Sequence, residues 1–158
     1  MGNAATHLPN QPRASSFSGC FHALAGNWLL GKTISDGSRF DGRAIFEPCE
    51  LHRLTLREAG QLVLADGTRL AASQSWTWTL CTDGGLEIRY PDEKGGGIYH
   101  QIVLQGRAGS WHGSASHSCG RDRYKASYAI KPGIVCIRHE IDGPNKACSI
   151  AATYRKTR

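Results

Sequence analysis

The densest group of reactive side chains lies in Trp111 to Tyr128, WHGSASHSCGRDRYKASY, where His117, Cys119, Asp122 and Tyr124 fall within eight residues. Residues i and i+2 of a strand share a face about 6.5–7 Å apart, so His117 and Cys119 point the same way. An imidazole beside a thiol helps to hold it as a thiolate, and a Cys-His-Asp group suits nucleophilic or thiol chemistry. A structural reading stands beside this one. Asp122 caps the glycine bend by hydrogen-bonding the backbone, Tyr124 packs, and Cys119 fills space. Alternation puts His117 on one face with Trp111, Gly113 and Ala115, and the two small residues leave room for a cavity.

A second histidine, His100, sits in mid-strand with Ile98, Ile102 and Leu104 on its own face. It reads either as a hydrogen-bonded core residue or as a partner of His117 across the interior. Two inward neutral imidazoles would suit a metal or haem iron. No short-range ligand spacing supports that chemistry, so no metal site and no cofactor is expected. Trp76, Trp78 and Tyr128 either line an aromatic pocket or pack as core. Arg39 and Arg43 share a face. Turned inward, they would grip a carboxylate or phosphate through paired N–H groups; turned outward, they are solvated. The chain contains no G-x-S-x-G, P-loop, H-E-x-x-H or G-x-G-x-x-G.

The elements that position these residues are strands. RFDGRAIFEP alternates, with Phe40, Gly42, Ala44 and Phe46 on one face and Arg39, Asp41 and Arg43 on the other. Pro48 should end that strand, because proline cannot donate to a ladder. LHRLTLREA is a further run before Gly60. QLVLADGTRL is a hairpin about Asp66-Gly67, a strong short turn signal. SQSWTWTL has period two, and further runs follow between turns at 83–85, 91–97, 106–109, 131–133 and 143–144. Phe17 to Ala25 has helical spacing at Phe17, Cys20, Phe21 and Leu24. About eight to ten short strands with short connections predict an all-β, antiparallel, up-and-down barrel. Such a barrel holds side chains plus one small ligand.

The 158 residues carry a formal charge of +6 and six cysteines. A chain of this length builds its own core without a staple. Residues 1–18 read as a disordered leader and 19–158 as one domain. No secretory signal and no apolar run of membrane-spanning length is present, so an intracellular, cytoplasmic protein with reduced thiols is expected. The cations are scattered apart from Arg155, Lys156 and Arg158, which argues against specific nucleic-acid recognition. MGNAAT fits the myristoylation pattern, with Gly2 as acceptor and Thr6 as the hydroxyl residue. In a eukaryote this would give weak membrane attachment.

Gly26-Asn27-Trp28 resembles the G-x-W opening of lipocalin and calycin barrels. There the tryptophan packs at the closed end under a late arginine, a role the resemblance assigns to Arg155. A match over nearly the whole chain rests on Phe40-Asp41-Gly42, Glu58-Ala59-Gly60, Tyr99-His100, Gly143-Pro144-Asn145-Lys146 and Thr153-Tyr154-Arg155. Its most specific piece is the string H-x-C-x-x-D-x-Y at His117, Cys119, Asp122 and Tyr124. On these residues the chain is similar to an uncharacterised family catalogued as a domain of unknown function, for which a calycin-like barrel is implied. Leu56, Arg121 and Asn145 depart from the pattern, which has an aromatic residue, a proline and an arginine there.

Three functions follow. The first is a binding module for a small, partly apolar ligand. Trp76, Trp78 and Tyr128 supply surface, and His100, His117, Tyr124, Cys119 and Arg43 orient the ligand, while Trp28, Arg155 and Asp122 are structural. The second is an enzyme in the same cavity, with His117 as base and Cys119 or Tyr124 as its partner. The third is a structural or partner-binding domain whose core is filled by its own side chains.

Overall fold

The computed structural model describes residues 17–158. The myristoylation pattern at Gly2 and Thr6, and all but the end of the expected leader, lie outside the described residues. A short helix, α1 (Ser18–His22), precedes eleven strands: β1 (Gly26–Ile34), β2 (Arg39–Glu50), β3 (Arg53–Val63), β4 (Arg69–Leu80), β5 (Leu86–Arg89), β6 (Ile98–Ile102), β7 (Gln105–Arg107), β8 (Ser110–Cys119), β9 (Asp122–Lys131), β10 (Ile134–Gly143) and β11 (Lys146–Lys156). The strands form one antiparallel sheet in the order β6-β5-β4-β3-β2-β1-β11-β10-β9-β8-β7. The all-β, up-and-down architecture is therefore the expected one, with three-residue β7 and four-residue β5 raising the strand count above ten.

The turns follow from their residues. In the β3–β4 hairpin Thr68 N–H donates to Asp66 Oδ1 at 2.8 Å, and Gly67 takes a φ of +89° that a side chain would strain. Asp36 performs the same service for Ser38 between β1 and β2. Two predicted breaks are not breaks. β2 runs past Pro48 to Glu50 through a bulge between Pro48 and Glu50, a place where a residue without an N–H is tolerated. β3 runs straight through Gly60, which lies opposite Gly42. A Cβ on either glycine would collide with the facing backbone and with the Phe40 ring, so this pair lets β2 and β3 approach closely under an aromatic cover.

The sheet curls until β6 lies against β8. Gly113 is the contact point: a Cβ there would stand 2.6 Å from Val103 O. The space expected above Gly113 is therefore filled by Ile102 and Val103 of the opposing chain segment, and the glycine closes the seam rather than widening a cavity.

One end of the barrel is plugged. Phe17, Phe21 and Leu24 of the α1 region are buried, and the Phe17 ring meets Trp111 edge-on at 5.7 Å. Phe17, placed in the leader by the sequence reading, thus belongs to the core. Trp28 is buried, donates from Nε1 to Leu24 O at 2.8 Å and meets Phe46 at 5.9 Å. The cation over its ring is Lys156, with Nζ 5.7 Å from the centroid and bonded to Ala23 O at 2.5 Å. Arg155 is exposed and does not take this place. Lys156 is the register partner of Trp28, whereas Arg155 pairs with Leu29 and so points outward.

Candidate functional site

Toward the other end the interior holds a cavity of about 560 Å³. Its walls carry apolar side chains such as Phe40, Leu56, Ile88 and Ile137, but the inward stripes of several strands also carry polar groups. In β1 the stripe runs Trp28, Leu30, Lys32; in β3 it runs Leu54, Leu56, Glu58; in β10 it runs Val135, Ile137, His139. A charged or titratable residue on an apolar stripe is buried unless the strand ends first, and must find partners.

Glu58 finds three. Its Oε2 accepts from Lys32 Nζ at 2.5 Å and Gln74 Nε2 at 2.6 Å, and its Oε1 accepts from the Tyr154 hydroxyl. Burial, reinforced by the adjacent carboxylate, pushes the Tyr154 phenol well above its ordinary value, so it stays a donor at neutral pH. This buried ion pair is completed by neutral hydrogen bonds, the condition under which such a pair is tolerated.

The second polar group is built on a bulge in β6. Ile88 pairs with His100 and Arg89 with Ile98, which leaves Tyr99 as the extra residue. Two consecutive residues, Tyr99 and His100, therefore line the cavity. The Tyr99 ring stacks on Trp76 at 4.6 Å and on His100 at 3.8 Å. Ile98, which simple alternation places beside His100 on the inner face, is half-exposed instead. Across the seam His117 lies 5.9 Å from His100, ring centre to ring centre, and His139 lies 5.7 Å from it. Three histidines from β6, β8 and β10 thus meet around Tyr99.

Their environments differ. His100 Nδ1 shares a 2.5 Å hydrogen bond with the Tyr128 hydroxyl. Burial, and secondarily His139 and His117, bring the His100 pKa down to about 4, so this imidazole is neutral at neutral pH. Burial also lowers the His139 pKa; Lys32 acts in the same sense and Glu58 against it. His117 stacks on its register partner Tyr124 at 4.7 Å with the rings nearly parallel. His117 Nδ1 and His139 Nε2 are buried and have no hydrogen-bond partner among the described residues.

Of the residues singled out from sequence, Trp76, Trp78, His100, His117, Cys119, Tyr124 and Tyr128 line this cavity. Trp78 is fully buried against Phe46 and Tyr128, so it is as much core as wall. Cys119 is exposed at the rim, and His117 Nδ1 has no hydrogen-bond partner among the described residues, neither Cys119 nor Asp122 included. Asp122 packs against Gly143, where a Cβ would strike its carboxylate. Arg43 is a correction: it is exposed on the outer face, because its neighbours Gly42 and Ala44 occupy the inner phase of β2. Sequence reasoning missed Lys32, Glu58, Gln74, Tyr99 and His139. All but Tyr99 carried a signal, a polar residue in phase with apolar neighbours.

Fold and site together define an antiparallel β-barrel with one plugged end and an aromatic, histidine-lined cavity. The family model described as "Family of unknown function (DUF6314)" matches residues 24–156, and the chain belongs to that family. No curated protein matches it. Among solved structures it is similar to the crystal structure of Rv2717c from M. tuberculosis, at 14% identity and a TM-score of 0.60, covering 86% of this chain and 94% of that one. It is also similar to EF1p2_mFAP2b bound to DFHBI, at 16% identity and a TM-score of 0.50, covering 90% of this chain and 100% of that one. At these identities the likeness shows a shared barrel fold. No helix among the described residues is long and apolar enough to cross a membrane.

Proposed function

We propose that this protein is a binding module that holds a small, partly apolar molecule inside the barrel. The observation that carries the reading is the coexistence of an aromatic-lined cavity of about 560 Å³ with two unpartnered imidazole nitrogens, His117 Nδ1 and His139 Nε2. Buried polar atoms are ordinarily hydrogen-bonded, so an orphaned pair in a cavity marks where a ligand or ordered water supplies the missing partner. The volume lies in the range of small-molecule sites. Trp76 and Tyr99 offer ring surface, and the histidines orient what rests on it.

Native mass spectrometry of freshly purified protein, set against the denatured mass, tests this reading. The expected result is an excess mass that vanishes on denaturation, or a carried chromophore in the absorption spectrum. His117→Ala is expected to weaken retention of that ligand more than it lowers folding stability. An equal loss of both, or a bare chain that takes up no apolar probe, would overturn the reading.

A further inference from the structure

The charges inside the cavity form one ion pair. The lining holds two lysines and two glutamates among the described residues. Lys32 is paired with Glu58 at 2.5 Å. Lys125 and Glu140 are exposed on the outward phase of β9 and β10, and Glu140 makes its ion pair with Arg138 at 3.8 Å. The charged groups that face the interior are therefore Lys32 and Glu58, which oppose each other. Tyr99 and Tyr128 stay protonated at neutral pH, Tyr99 pushed up to about 12 and Tyr128 well above its ordinary value by burial. His100 is neutral and its Nδ1 is engaged by Tyr128.

An ion entering such a cavity loses its hydration and gains no counter-charge, a cost that a neutral ligand avoids. The open positions are two imidazole nitrogens, on His117 and His139, flanking His100. A neutral imidazole offers either a donor or an acceptor at a given nitrogen, according to tautomer. The rings that line the cavity form two stacks, Trp76–Tyr99–His100 and His117–Tyr124, with interplanar angles of 24°, 27° and 5°. Stacked faces favour flat, conjugated partners.

Resting on the binding-module reading, we infer that the ligand class is an uncharged, flat aromatic molecule with an amide-like hydrogen-bonding edge, read by His117 Nδ1 and His139 Nε2 and discriminated against charged analogues. The edge supplies one N–H and one C=O, and the two histidines adopt the tautomers that answer them.

A set of four probes with a common ring tests this: 2-naphthamide, 2-naphthoate, 2-naphthylmethylammonium and naphthalene, titrated calorimetrically into the full chain near neutral pH. The expected order places 2-naphthamide about tenfold or more tighter than either ion, because only it meets the unpaired nitrogens without stranding a charge. In a His117→Phe/His139→Phe variant its affinity falls to that of naphthalene, while naphthalene itself binds as before. Naphthoate or the ammonium binding as tightly as the amide would overturn the inference and leave the binding-module reading standing. Failure of all four probes, with a bare native mass, would defeat that reading. If the double variant does not fold, the ranking of the four probes on the wild-type chain decides alone.

Discussion

The two ends of the barrel are built by the same strands with the same inward alternation, yet one is filled and the other hollow. At the plugged end the inward positions are Trp28, Phe46 and Trp111, and α1 with its flanking residues adds Phe17, Phe21 and Leu24. Their rings meet edge-on at 5.7–5.9 Å, the geometry of a packed core. Two inward positions beyond Trp28 on β1 stands Lys32 and three beyond Trp111 on β8 stands His117, and β3, β4 and β10 add Glu58, Gln74 and His139. Lys32 and Gln74 reach for Glu58 along the wall, while the imidazoles of His117 and His139 each keep one nitrogen unpartnered. The difference teaches that a barrel cavity need not be carved by small residues. Gly113, the smallest candidate, is closed over by its neighbour, and the space opens where the inward stripes turn polar.

The comparison is broken most severely at the plugged end. Trp28→Ala removes a fully buried indole and its hydrogen bond to Leu24 O, and is expected to cost about 3–5 kcal/mol in urea unfolding. Fluorescent-probe affinity per folded molecule should stay constant, because the cavity lies beyond this layer; a loss of affinity matching the loss of stability would merge the two regions into one. The next effect is at the hollow end. Glu58→Ala strands Lys32 and the Tyr154 hydroxyl and is expected to cost about 3 kcal/mol, the lower part of the range for breaking a buried pair, since Lys32 retains some exposure. Adding Lys32→Met should recover part of that loss; no recovery in the double variant would show that the ion pair is not what Glu58 contributes.

The smallest and most graded effect is that of pH, and it sharpens the contrast because the buried histidines with lowered pKa, His100 and His139, both line the hollow end. His100 has a folded-state pKa of about 4 against an ordinary value of 6.5, so between these values the unfolded chain binds the proton in preference. His139 shifts in the same direction. The groups facing His100 are Tyr99, Tyr128, His117 and His139, none of them a carboxylate. Stability contributed by neutral His100 is therefore fully present above pH 6.5 and is lost as pH falls toward 4. Urea midpoints measured across that window should decline, and His100→Phe should flatten the decline. An unchanged slope in the variant would remove His100 as its source.

Much of this architecture was legible in residue order. Alternation in RFDGRAIFEP put Phe40, Ala44 and Phe46 on one face and Arg43 on the other, the Asp-Gly pairs located their hairpins, and the spacing from Phe17 to Leu24 indicated a short helix. Alternation alone left either face free to turn inward, and the burial of Phe40, Ala44 and Phe46 is what places Arg43 outside. Tyr99 was invisible for a definite reason: a bulge adds one residue, so the phase of β6 reverses at a point that no pattern of apolar residues announces. Arg155 was displaced for a related reason, since a one-residue difference in register moves a side chain to the other face and hands the Trp28 site to Lys156.

By itself, then, the sequence determined what is local: strand periods, turn chemistry, the helical spacing of α1, and which strands carry a polar residue in an apolar phase. The tertiary structure decided which of those polar residues meet. Glu58 and Tyr154 are 96 residues apart, and His100 and Tyr128 are 28 apart. His117 and His139 flank His100 only after the sheet has curled and β6 has closed on β8. Pairing across a barrel depends on strand order, register and a bulge acting together, and each is set by contacts over the whole sheet rather than by neighbours in the chain.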